Sequence, residues 1–160
     1  EAKDLIRVNA SAGDDWTAQL DHNVIAVEPG VTVAVPVYVE IPKGKTAPAK
    51  LTFTATSETD TNQSFTDSNF LPGSLSAAGI SSVIDGFANE GSFKAGAAEA
   101  LKAHLKAVGQ FEKKGSADKV IKHINDFKEF LEIKKDADQI SAKAYTSLEA
   151  YADSMIEIWE

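Results

Sequence analysis

Hydrophobic positions along the chain follow two periods in succession, first two and then about 3.6. Residues 5–8 form a short apolar run. Residues 16–20 alternate, with Trp16, Ala18 and Leu20 on one face, and residues 24–27 are apolar again. Glu28-Pro29-Gly30 then marks a turn. The clearest alternation follows at residues 31–41: Val31, Val33, Val35, Val37, Val39 and Ile41 share one face, and Thr32, Ala34, Pro36, Tyr38 and Glu40 share the other. Such a pattern predicts a strand with one face in a core and one in water. Pro36 has no N–H for a ladder, so this strand is expected at an edge or at a bend. Residues 51–56 alternate once more, with Leu51, Phe53 and Ala55 inward. Residues 59–75 are rich in Thr, Asp, Asn, Ser, Pro and Gly and read as a linker, anchored by Phe65 and Phe70.

From Ser76 the spacing becomes helical. Ile80, Val83, Ile84 and Phe87 predict a helix over 76–89. Ala97, Leu101, Leu105, Val108 and Phe111 predict one over 93–114. Gly115 suits the position after that helix and Ser116 the cap of the next. Val120, Ile121, Ile124, Phe127, Phe130 and Leu131 predict a third over 117–134. Ser141 caps a fourth over 142–159, with Tyr145, Leu148, Tyr151, Ala152, Met155, Ile156 and Trp159 on its stripe. Four amphipathic helices with short connections predict an antiparallel four-helix bundle. The expected fold class is therefore α+β in two parts, a partial β-sandwich over 1–58 and a helical bundle over 76–160.

Charge narrows the partners. Acidic residues outnumber basic ones 24 to 16, giving a net charge of −8, and both halves are acidic. Neither offers the basic footprint that a phosphate backbone or an anionic membrane surface requires, so nucleic acid and membrane are not expected partners. The chain has no Cys, which excludes disulfides, thiolate metal sites and a Cys nucleophile. No apolar run reaches the 18 or so residues of a membrane span. With Glu1 first and no leader visible, the expectation is a mature form or an excised piece of a longer protein.

Two family patterns emerge from these runs. The stretch "GDDWTAQLDHNVIAVEPGVTVAVPVYVEIPKG", with "LTFTATS" after it, resembles the closing strands of immunoglobulin-like accessory domains appended to bacterial α-galactosidases. That resemblance implies an immunoglobulin-like sandwich. Four or five strands fall short of the roughly seven such a sandwich uses, so missing strands are expected upstream or from another copy. The stretches "LKAHLKAVGQFEKKGSADKVIKHINDFKEFLE" and "ISAKAYTSLEAYADSMIEIW" resemble the FIMAH module of secreted hydrolases. This second resemblance implies an accessory, non-catalytic role, an extracellular or cell-surface location, and no catalytic residues to carry over.

Candidate chemistry is sparse. His104 and His123 fall on helices expected to pack together. With Glu99, Glu112 or Asp126 they could in principle hold a metal, but the i, i+4 His pair of helical zinc sites is absent. Both are read as structural or as interface contacts, with His123 orienting the helix pair through a hydrogen bond. Tyr38 faces away from the Val stripe and is the ring expected to contact a ligand or partner. Asp14-Asp15, Asp60, Asp67 and the D-x-D at Asp136 and Asp138 leave calcium open as the sole cofactor, although the last lacks the Gly and Glu of a calcium loop. No nucleophile motif, phosphate loop or H-E-x-x-H occurs, so the chain is not expected to be an enzyme. Docking or spacing of an upstream catalytic domain is the favoured role, with that domain or another copy as partner. Binding of polysaccharide or cell wall is the alternative.

Overall fold

The computed structural model describes residues 3–13 and 15–160. Its class is mixed α+β: antiparallel sheet first, then four helices. Contacts divide the chain into a β unit, running to Gly44 and over Ala49–Asn69, and a helical unit made of Lys45–Pro48 and Phe70–Glu160.

The β unit contains β1 (Asp4–Ser11), β2 (Thr17–Leu20), β3 (Val24–Val27), β4 (Val37–Glu40), β5 (Ala49–Ser57) and most of β6 (Ser64–Leu71). One sheet has the order β3-β1-β5-β6, and β2 pairs with β4 separately. β1 runs antiparallel to both neighbours, with Ile6 opposite Ile25 on one side and Ser57 on the other.

Two strand expectations change. Of the predicted strand at 31–41, only Val37–Glu40 is paired. Its partner β2 is four residues long, because the chain bends after Leu20 to form β3 in the other sheet, so residues 31–36 have no ladder. The segment read as a linker holds β6. This strand lacks an apolar period because hydroxyl pairs across the hairpin tie it to β5, Thr54 to Thr66 at 3.2 Å and Thr56 to Ser64 at 2.9 Å. The turn between them is held by Ser57, whose Oγ accepts the N–H groups of Thr59 and Asp60, while the Thr59 hydroxyl donates to Asp4 at 2.6 Å.

The helical unit contains α1 (Ala77–Asn89), α2 (Ala97–Lys113), α3 (Ala117–Asp136) and α4 (Ala142–Trp159). Ser76 and Ser141 cap α1 and α4, accepting the N–H groups of Gly79 and Ala144. Ser116 holds the cap position of α3 without a side-chain bond, and Gly115 before it takes φ 62°. α2 begins four residues later than its apolar spacing suggests. Residues before it are drawn into a bridge with the loop after α3: Lys94 N–H donates to Gln139, Ser141 N–H donates to Ser92, and Lys94 pairs with Asp138 at 2.6 Å.

Burial is uneven. Ile80, Ile84, Phe87, Leu101, Leu105, Ile124, Phe127, Leu131, Leu148 and Met155 are fully enclosed between the helices. In the β unit, the buried apolar side chains among the described residues are Val8, Ala12 and Ala49. Its inward stripe, including Trp16, Leu20, Ile25, Val37 and Val39, is only half-buried.

α1 presents a face without side chains to the segments packed on it. A Cβ on Gly79 would lie 1.9 Å from the Ser74 carbonyl oxygen, and one on Gly86 would lie 2.7 Å from the Phe70 ring. Phe70 meets Phe87 edge-on at 5.1 Å, and the Tyr151 hydroxyl donates to the Phe70 carbonyl at 2.6 Å. Burial pushes the Tyr151 phenol up to about 12.

Replacing a mid-helix Gly by Ala ordinarily stabilises by about 1 kcal/mol. Gly109→Ala in α2, whose Cβ would sit at an ordinary 3.6 Å from Ala77, is expected to follow that rule in chemical denaturation. Gly79→Ala is expected to go the other way, lowering stability, because backbone must move to admit the methyl group. A second expectation concerns alkali. A phenol whose folded pKa exceeds its unfolded value of about 10 contributes stability that is full below that pH and fades as pH rises through the folded pKa. Wild type should lose stability between about pH 10 and about 12. Tyr151→Phe should lose less over that window, with Tyr145 (also raised to about 12, chiefly by its bond to Glu149) accounting for the remainder. At neutral pH that variant should be weaker by about 1 kcal/mol through the missing hydrogen bond.

Candidate interaction surface

The three side chains singled out from sequence occupy different places. Tyr38 lies on β4 opposite Gln19 of β2 and is 57% exposed. His104 and His123 are half-buried between α2 and α3. Each stacks on a phenylalanine of the other helix: His104 on Phe130 at 4.4 Å and 22°, His123 on Phe111 at 4.9 Å and 6°. The contact of His123 with the other helix is this ring stack, where a hydrogen bond was expected; its Nδ1 lies 3.4 Å from Asp126 on its own helix. The Phe partners escaped sequence reasoning. Their signal was a His and a Phe seven residues apart, His104 with Phe111 and His123 with Phe130, which on antiparallel helices places each His beside the other helix's Phe.

Lysines occupy the same rings. Lys134 stands over Phe130 at 4.8 Å, Lys119 and Lys114 over Phe111 at 5.3 and 5.7 Å, and Lys135 over Tyr145 at 4.3 Å. Phe130 and Phe111 thus each have an imidazole stacked on them and a lysine ammonium nearby.

Several ionisable side chains of the helical unit are engaged within it. Burial raises the Glu112 carboxyl, and its oxygens accept the Ala77 N–H at 3.2 and 3.3 Å; this contact sits at the α1 N-terminus, where negative charge is favoured. Lys102 bridges Asp85 and Glu99, and Lys128 bridges to Asp153. Among the described residues no group of three or more His, Asp or Glu side chains could hold a metal ion. Asp14, one of the calcium candidates, lies outside the described residues. Asp60 instead accepts from the backbone and side chain of Asn62, inside its own turn.

Among the open grooves of the helical unit, one of about 430 Å³ runs between α1 and α2 beside Glu112, with Lys106, Gln110 and Lys113 in its lining. Another, about 610 Å³, runs along α1 between Phe70, Gly79, Ser82, Asp85 and the 45–48 segment, floored largely by Ala, Gly and Ser. Exposed apolar groups are instead concentrated on the β unit. Val31 and Val33 are 52% and 43% exposed in the unpaired stretch before β4, and Leu5, Ile41 and Phe65 are exposed as well.

Residues 77–157 match the FIMAH domain. Residues 2–70 match a peptidase M6-like domain, a different family from the α-galactosidase-associated one whose cadence the strands resemble. Neither a curated protein nor a solved structure matches the chain. No described helix is long and apolar enough to cross a membrane.

The two His–Phe stacks make a quantitative expectation. In a double-mutant cycle, His104→Ala with Phe130→Ala, and separately His123→Ala with Phe111→Ala, should each show coupling of about 0.5–1.5 kcal/mol in denaturant unfolding. Coupling indistinguishable from zero in both cycles would mean that the stacks do not join the helices.

Proposed function

Since the chain belongs to the FIMAH domain family, and a peptidase M6-like stretch precedes that domain, we propose that it is a non-catalytic accessory region of a secreted bacterial hydrolase, acting outside the cell or at its surface. Its task is to dock or space a catalytic domain through protein–protein contacts. The β unit plays the part of an incomplete immunoglobulin-like sandwich, and the helical unit that of an antiparallel four-helix bundle.

The observation that carries this reading is the bare apolar stretch at residues 31–36. It has no strand partner, and Val31 and Val33 face solvent while Val35 is half-buried, in a unit whose inward stripe is itself half-covered. Surface of this kind is ordinarily completed by protein, since water gains nothing from it and sugars require open ring faces. In the helical unit, Phe111 and Phe130 are engaged by His and Lys. One observation favours the alternative: Tyr38 is an exposed ring with a Gln amide opposite, the minimum a saccharide platform needs.

Retention of the 160-residue chain on insoluble cellulose, chitin and peptidoglycan tests the choice. A docking module should stay in the supernatant on all three. Retention that disappears in Tyr38→Ala, with unchanged thermal unfolding, would sink docking and establish the carbohydrate reading.

A further inference from the structure

The β unit has several strand edges, and they are not equally protected. Edge strands avoid stray pairing by being short or by carrying charge. β2 and β3 are four residues each; Asp15 and Asp21 flank the first, Asp21 and Glu28 the second, and Glu28 pairs with Lys3 at 2.9 Å. β6 carries Asp67 at its middle and hydroxyl side chains around it. Residues 31–39 carry no charge, and their defences are Pro36 and the short ladder of β4. They form nine consecutive uncharged positions in a chain where 25% of residues are charged, with Pro36 as the sole interruption. The unpaired part, 31–36, also has the exposed valines.

We propose that this edge pairs with the same edge of a second copy of the chain, as an antiparallel ladder centred on Val33. The proposal rests on the docking reading above and names its partner. The local sequence is self-complementary in that arrangement. Val33 faces Val33, Val31 faces Val35 and Thr32 faces Ala34, so the two valine stripes form one apolar cluster. The nearest carboxylates, Glu28 and Glu40, fall outside the ladder, and no charge is opposed to its like. Pro36 ends the ladder on one side and the Pro29-Gly30 turn ends it on the other. A two-fold arrangement also closes after two copies and leaves no further edge of this kind exposed. Because both copies are acidic, association should strengthen as salt screens their repulsion.

The chain has no cysteine, so one introduced thiol reports the register. Directly opposed residues of an antiparallel pair have Cα atoms about 4.5–5.5 Å apart, inside the disulfide range. Under mild oxidation Val33→Cys should give a covalent dimer, and Phe65→Cys, more exposed but on β6, should not. Sedimentation equilibrium from about 10 μM to about 1 mM should show a monomer–dimer equilibrium that Val33→Lys shifts to monomer, with helical circular dichroism unchanged. A monomer throughout that range, together with equal oxidation of the two Cys variants, would overturn the proposal. That result would leave docking on a catalytic domain intact, whereas retention on polysaccharide, as above, would remove the docking reading itself.

Discussion

Apolar burial is concentrated between the four helices, and the rest of the molecule is arranged around that imbalance. Side chains such as Phe87, Phe127, Leu101 and Met155 are wholly removed from water there, each contributing on the order of 2 kcal/mol by area. The β unit has nothing comparable. Val8, Ala12 and Ala49 are too few and too small to enclose six strands, so its order depends on ladder hydrogen bonds, hydroxyl pairs and the Ser57 turn. Small units that bury little apolar surface are marginal unless something else covers them. The β unit's incomplete inward stripe is therefore the point at which an additional protein surface would add most.

The helical core also reaches beyond the segment that matches the FIMAH domain. Phe70 and residues 45–48 precede residue 77 in sequence but belong to the helical unit. Phe70 fills the space beside Phe87 that Gly86 leaves open, and its carbonyl receives the Tyr151 hydroxyl. Gly79 and Gly86 lower the intrinsic helix propensity of α1. They are tolerated because the close approach they permit brings Ser74 and Phe70 onto the helix.

How far the sequence could be read follows from where the physics is local. Helix positions were legible because burial on one face imposes the 3.6 spacing directly, and Ser141 and Gly115 marked ends where the backbone needs specific partners. The start of α2 was not legible, since the helix was begun at Phe93, whose backbone is claimed by Ile140 in a bridge more than forty residues away. β6 was invisible because Thr and Ser hydroxyls hold it, which resembles loop composition. The strand at 31–36 was over-read for the converse reason: alternation records what a segment is able to pair with, and pairing needs a neighbour that β2 is too short to supply. The His–Phe stacks were half legible. The sequence placed His104 and His123 on helices expected to pack together, but only the antiparallel register shows which rings they meet.

That over-reading bears on function. A segment patterned as a strand and free of charge has no strand partner among the described residues, whereas charge flanks or interrupts β2, β3 and β6. The helical unit encloses most of its large apolar side chains, with Leu75, Ile133 and Ile158 exposed. On the reading proposed above, the valine edge of the β unit is the part that meets protein, and its composition would make its own copy a suitable match.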